Sequence, residues 1–225
     1  MNDYLIRILK EAGANRPVSL EVISTDEEGM FREARLLYDE YNSFTGNVVV
    51  KIPVNSALNQ HDSNYQGLKV IRRLSKLNIP VNSTLIMNPE QAVLAAKAGA
   101  RYVSPFVGRI DDYLRSRKQA NFDKSDYFNK NGEGSHDNGV VSGVDLVDKI
   151  VKIFRNYNFS CEIIAASVRN PRQARELALT GVDIATIPFD VLSKMLFHEK
   201  TREGVEKFKA DVVPEYTFIF NSDKK

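Results

Sequence analysis

The sequence holds a single cysteine, Cys161, among its 225 residues. An internal disulfide is therefore excluded, which fits a reducing compartment. Histidine is scarce as well: His61 and His136 fall in polar segments and His198 near a helix end. None has metal-ligand spacing, so surface roles are expected for all three and no metal or other cofactor is expected. An excess of one charge is also missing. Lys+Arg 31 against Asp+Glu 29 leaves +2, which implies no nucleic-acid partner. No apolar run approaches the length of a membrane span. Met1-Asn2-Asp3-Tyr4 opens without the basic-then-apolar pattern of a signal peptide. The expectation is a cytoplasmic protein with no membrane partner.

What is present is an ordinary globular composition, in a length that suits one α/β domain of barrel size or slightly under it. Strand-like segments at 18–24, 47–52, 81–86, 102–104, 162–166 and 184–187 alternate with helical patterns, which predicts a parallel sheet. Thr25 with Glu28 offers a capping box for the helix that follows the first strand. Two stretches repeat at an offset of 82 residues: Asn88-Pro89-Glu90-Gln91-Ala92, closing at Gly99, and Asn170-Pro171-Arg172-Gln173-Ala174, closing at Gly181. Each has an Asn N-cap, Pro at the first helical position and Gly just past the end. Reused βα units suit a barrel, although independent use of good caps gives the same pattern.

Within the second strand, Asn47-Val48-Val49-Val50-Lys51-Ile52-Pro53, one lysine interrupts a run of Val and Ile. Such a run reads as a parallel strand buried on both faces. Lys51 shares a side with Val49 and Pro53, near the strand's C-terminal end, where α/β barrels carry their sites. Burial there would disfavour the ammonium and leave a nucleophilic amine. An edge-strand lysine with its amine in water explains the same residue without chemistry. The segment 111–143 breaks the βα rhythm and reads as a long βα loop, anchored by Tyr113, Leu114, Phe122, Tyr127 and Phe128.

Five segments in order resemble the transaldolase family, the class I Schiff-base aldolases on a (β/α) TIM-type barrel. They are Val18-Ser19-Leu20-Glu21-Val22, Val49-Val50-Lys51-Ile52-Pro53, Asn82-Ser83-Thr84-Leu85-Ile86, Ser104-Pro105-Phe106-Val107-Gly108-Arg109 and Ala166-Ser167-Val168-Arg169-Asn170. The resemblance is to the small transaldolases that grade into fructose-6-phosphate aldolases. The run Asp137-Asn138-Gly139-Val140-Val141-Ser142 is similar to an insertion of the larger ones. It implies a single, partial barrel over residues 1–225, with the loop at 111–143 and a C-terminal tail at 212–225. The family pattern begins with two further strands, one bearing an aspartate and the next an asparagine. This sequence offers no counterpart to them, because residues 1–15 read as the helix before the third strand. Tyr216-Thr217-Phe218-Ile219-Phe220 has strand composition and is a candidate to fill the vacant place.

The resemblance implies that Lys51 forms a Schiff base with a ketose phosphate and passes a dihydroxyacetone unit to an acceptor aldehyde. The implied substrates are fructose 6-phosphate, sedoheptulose 7-phosphate, erythrose 4-phosphate and glyceraldehyde 3-phosphate, in the non-oxidative pentose phosphate pathway. Glu21, set among apolar residues, is expected to be buried and to move protons, with Thr84 holding a water beside it. A counter-ion to Lys51 is the plainer role for Glu21. Asn82 and Ser104 are expected to meet sugar hydroxyls or to satisfy nearby backbone. Phe106 stands where the aldolases of the family carry a proton-donating tyrosine, and it favours the transferase. Arg109, Ser167 and Arg169 are the expected phosphate site. Loss of the family's aspartate costs a factor of about 100 to 10,000 in rate. Two further readings follow: a fructose-6-phosphate aldolase, and a sugar-phosphate-binding remnant or truncated gene product without turnover. Small members of the family form rings with exchanged C-terminal arms, so a homo-oligomer is expected.

Overall fold

The computed structural model describes residues 2–59, 64–118, 121–213 and 216. Helix α1 (Asn2–Ala12) leads into β1 (Val18–Glu21), α2 (Glu27–Thr45), β2 (Val48–Pro53), α3 (Gln66–Lys76), β3 (Val81–Ile86), α4 (Pro89–Ala98) and β4 (Tyr102–Pro105). Then follow α5 (Val107–Ser116), α6 (Gly143–Asn156), β5 (Glu162–Ala165), α7 (Pro171–Leu179), β6 (Ile184–Ala185), α8 (Phe189–Leu196) and α9 (Glu199–Ala210). The six strands pair in chain order, and every neighbouring pair is parallel. The sheet curls into a half-barrel, consistent with an α/β TIM-type fold. No helix among the described residues is long and apolar enough to cross a membrane.

The strand pattern explains the two faces. Val50, Ile52, Val81, Val103 and Ile163 turn outward and are buried against Met30, Val70, Ile71, Leu74, Leu146 and Ile150 of the helices. Each such aliphatic side chain contributes about 1.5–3 kcal/mol relative to exposure. Val49, Tyr102, Ile164 and Ile184 turn inward and form a smaller apolar cluster on the concave face. The curl is visible in one contact. Asn82 on β3 donates to Ser19 Oγ on β1 at 3.1 Å, reaching across β2. Alternate strands of a flat sheet lie about 9–10 Å apart, so concave side chains meet this way only when the sheet bends toward them.

Both copies of the repeated motif are true caps. Asn88 and Asn170 accept from the backbone N–H of Gln91 and Gln173, and the two glutamines accept in return from the N–H of Met87 and Arg169. The cap of α2 differs from the expected one. Asp26, not Thr25, accepts from Gly29 N–H. Glu28 pairs with Arg73 on α3, and that partner draws it out of a capping box.

The expected loop at 111–143 is shorter. Residues 111–116 continue α5, because Ile110 and Leu114 present one apolar stripe to the core. The remainder is ordered by the anchors expected of it. Phe128 is buried, Arg115 lies over the rings of Phe122 and Phe128, and it also donates to the Asp123 and Asp126 carbonyls. Gly143, at the start of α6, sits so close to α5 that an added Cβ would fall 2.1 Å from the Val107 carbonyl oxygen. The candidate strand at 216–220 lies outside the described residues except for Tyr216, which is helical.

Candidate active site

The concave face of the sheet lines a cavity of about 580 Å³. Lys51, Glu21, Asn82, Ser104, Phe106, Arg109 and Ser167 all open onto it. Strand alternation places them there. Ser19 and Glu21, Lys51, Asn82, Tyr102 and Ser104, and Ile164 are inward positions on successive strands, in register from one strand to the next.

β2 is an interior strand, so Lys51 is no edge lysine. Its side chain keeps 24% of its exposure, and its ammonium donates to Glu21 Oε2 at 3.3 Å. Glu21 faces the cavity but is not buried: its side chain retains 55% exposure, because β1 is an edge of the sheet. Phe106 begins α5 beyond the end of β4, and its ring meets two cations. Lys51 Nζ stands 5.9 Å from the ring centroid and the Arg109 guanidinium 4.5 Å from it. Arg109 is exposed on the first turn of α5, and no carboxylate pairs with it among the described residues.

Below this cationic rim runs a polar layer. Ser104 Oγ donates to Asn82 Oδ1 at 2.7 Å, and Asn82 Nδ2 donates to Ser19 Oγ. The amide of Asn82 is thereby fixed in orientation, with one N–H left over. Thr84 is fully buried rather than open to the cavity. It lies where β3 slips register with β4, and Leu85 beside it has φ +60°. The hydroxyls of Ser83 and Thr84 are buried there without a hydrogen-bond partner among the described residues. Consecutive strand residues project to opposite faces, so the two hydroxyls are separate sites, with that of Thr84 on the same side as Lys51 and Asn82.

Arg169 departs from its expected place. It does not line the cavity, and its guanidinium is 2.7 Å from Asp112 on α5. Ser167, two residues earlier, does line it, in the left-handed region at φ +63°. Its carbonyl accepts from Gly108 N–H at 3.1 Å, which locks the turn against α5. Beneath lies Asp111, buried, accepting from Gly143 N–H and from Gln173 Nε2, each at 2.7 Å. Burial pushes its carboxyl up to about 6, against the opposing pull of the Gly143 N–H, the Arg115 charge and Gln173.

Sequence reasoning missed Ser19, Tyr102 and Thr186 as cavity residues. Ser19 was within reach, since it is two positions before Glu21 on the same strand face. Asp112 was not, because its partner lies 57 residues away. His136 and His198 each accept a backbone N–H, from Gly139 and Lys200, and neither lines the cavity. His61 falls outside the described residues.

Comparison with known proteins places this arrangement in context. A family model described as Transaldolase/Fructose-6-phosphate aldolase matches residues 2–224. The chain is 41% identical to a probable transaldolase of Carboxydothermus hydrogenoformans over 195 residues, 87% of this chain and 73% of that one. It is 41% identical to one of Thermoplasma volcanium over 206 residues, covering 90% and 75%. It is 43% identical to one of Aquifex aeolicus over 204 residues, covering 90% and 76%. Among solved structures, mandelate oxidase with benzoyl-formic acid aligns at a TM-score of 0.47 and 16% identity, over 81% of this chain and 51% of that one.

Proposed function

From the premise that the chain belongs to the transaldolase/fructose-6-phosphate aldolase family, we propose that it transfers a dihydroxyacetone unit between sugar phosphates through a Schiff base on Lys51. The observation that carries the reading is the placement of Lys51 within one cavity, its ammonium 3.3 Å from a carboxylate, with Arg109, which has no carboxylate partner among the described residues, at the cavity's mouth.

In this reading Glu21 takes a proton from the Lys51 ammonium, for which the contact is already made. The free amine adds to the ketone carbon of fructose 6-phosphate, and Glu21 returns its proton to the carbinolamine hydroxyl, which leaves as water to give an iminium and restores the carboxylate. The iminium accepts the electron pair of the C3–C4 bond as it breaks. The C4 hydroxyl proton passes to a base, and glyceraldehyde 3-phosphate departs. Glu21 serves as that base through a water held at the Thr84 hydroxyl, whose lack of a hydrogen-bond partner among the described residues supports the role. The enamine left on Lys51 then attacks an acceptor aldehyde such as erythrose 4-phosphate, and hydrolysis releases sedoheptulose 7-phosphate. Asn82 and Ser104 meet the sugar hydroxyls, and Arg109 with Ser167 takes the phosphate. Phe106 offers no proton at the position from which a tyrosine would quench the enamine, which favours transfer to an acceptor over release of the three-carbon unit.

Borohydride trapping with fructose 6-phosphate, followed by peptide mass spectrometry, tests the proposal. A reduced three-carbon adduct on Lys51 is the expected result. An intact hexose adduct would place the block at carbon–carbon cleavage. Folded protein that yields no adduct would remove Lys51 as nucleophile and leave sugar-phosphate binding without turnover.

A further inference from the structure

We infer that Asp112 is a positioning residue of the anion site, acting on a phosphate through Arg169 and Ser167. The inference rests on the sugar-phosphate reading above and deepens it.

The guanidinium of Arg169 is committed on three sides. Nη2 donates to Asp112 Oδ2 at 2.7 Å, Nη1 to the Lys124 carbonyl at 3.5 Å, and Nε to Ser167 Oγ at 3.4 Å. Its stem lies flat on the first turn of α5. A Cβ on Gly108 would stand 2.5 Å from Arg169 Nε, so only glycine admits the side chain there. Arg169 and Asp112 are each 21% exposed, which makes this a shielded pair rather than a surface one.

The consequence falls on Ser167. A hydroxyl that accepts from a fixed N–H keeps its own proton for another acceptor. Ser167 lines the cavity and Arg169 does not, so that proton is available to a ligand in the cavity. Ser167 thus becomes a donor beside Arg109, and the Arg169 guanidinium adds positive charge next to it. Asp112 determines where Arg169 rests. Without it, the guanidinium is free to swing, and the serine loses the partner that orients it. The other oxygen of Asp112 is buried with no hydrogen-bond partner among the described residues. A carboxylate left half satisfied in that position is better explained by its hold on Arg169 than by stability.

The test is the affinity for inorganic phosphate, read by calorimetry and by competition against fructose 6-phosphate in imine trapping. Asp112→Asn is expected to weaken phosphate binding about tenfold, the equivalent of one charge-assisted hydrogen bond. Asp112→Glu is expected to recover most of that loss. In a Ser167→Ala background the Asp112→Asn change is expected to have little further effect, a coupling that general loosening of the fold would not produce. Trapping with dihydroxyacetone, which has no phosphate, reports separately on the Lys51 end. Should Asp112→Asn fold poorly, Asp112→Ser is read in the same way. Phosphate affinity unchanged within twofold, or strengthened, would overturn the inference, and so would full additivity with Ser167→Ala. Wild-type protein that forms the imine yet binds no phosphate would overturn the phosphate site itself.

Discussion

Glu21 and Lys51 are register partners on adjacent parallel strands, and their charged ends meet at 3.3 Å. The backbone pairing of β1 with β2 sets that contact, because partners in a parallel ladder project to the same face. Half of the Glu21 side chain still sees solvent, so the pair adds only about 0–1 kcal/mol to stability. In the proposed reaction its value lies in moving a proton within the cavity.

Glu21→Gln is accordingly expected to leave the melting temperature almost unchanged and to act on the chemistry. Transfer between fructose 6-phosphate and erythrose 4-phosphate should fall by a factor of about 100 to 10,000. Imine formation on Lys51 should survive, more slowly. Steady-state rates beside borohydride trapping make the comparison. Transfer within threefold of the parent rate would leave Glu21 as a counter-ion only.

The Phe106 ring sits between the two ends of the proposed substrate, nearer Arg109 than Lys51. Removing the aromatic face with Phe106→Leu forfeits a cation–π contact of about 0.5–1 kcal/mol at an exposed site. KM for fructose 6-phosphate should rise about two- to fivefold, with little change for an unphosphorylated ketose. An equal effect on both substrates would assign the ring to packing around Lys51 instead.

How much of this was legible follows from where each signal lies in the chain. The six strands and the two Asn-Pro caps rest on contacts within a few residues, and each was readable from β-branched runs and cap chemistry. Lys51 was readable because a charge within an apolar strand is anomalous. The position of Arg169 was not, since nothing near it announces that Asp112 holds it. The exposure of Glu21 was misjudged for a related reason. Its neighbours Leu20 and Val22 are apolar and buried, yet β1 is a sheet edge, and edge placement is a tertiary fact. Asp26 displaced Thr25 at the cap of α2 because a distant arginine claimed Glu28.

Asp111 makes stability depend on pH in the direction opposite to most carboxylates. Its carboxyl is raised to about 6 in the folded chain. Between an unfolded value of about 3.9 and the folded value, the folded state binds the extra proton. Stability therefore decreases as pH rises through that window and levels off above it. A shift of about two units corresponds to an effect on the order of 3 kcal/mol. Urea midpoints between pH 4.5 and pH 7 read it, and Asp111→Asn should flatten this contribution. A parent and variant with parallel pH profiles would show that Asp111 titrates normally.

Two glycines in helices separate packing from propensity. Gly204 lies in α9 with nothing within 4 Å of an added Cβ, so Gly204→Ala gains helix propensity alone. It should stabilise the protein by about 0.5–1 kcal/mol. Gly143 is the opposite case. Its Cβ would meet the Val107 carbonyl oxygen at 2.1 Å and two further Val107 backbone atoms at 2.6 Å. None of these is the end of a flexible side chain, so the start of α6 must move away from α5. That movement pulls the Gly143 N–H from Asp111 and loosens the buried contact between Asp111 and Gln173. Gly143→Ala should cost at least about 1–3 kcal/mol from overpacking, with phosphate affinity falling alongside. Melting curves for the pair, each matched to a phosphate titration, decide the matter. A Gly143→Ala protein as stable as Gly204→Ala would mean that the starts of α5 and α6 are not tightly joined.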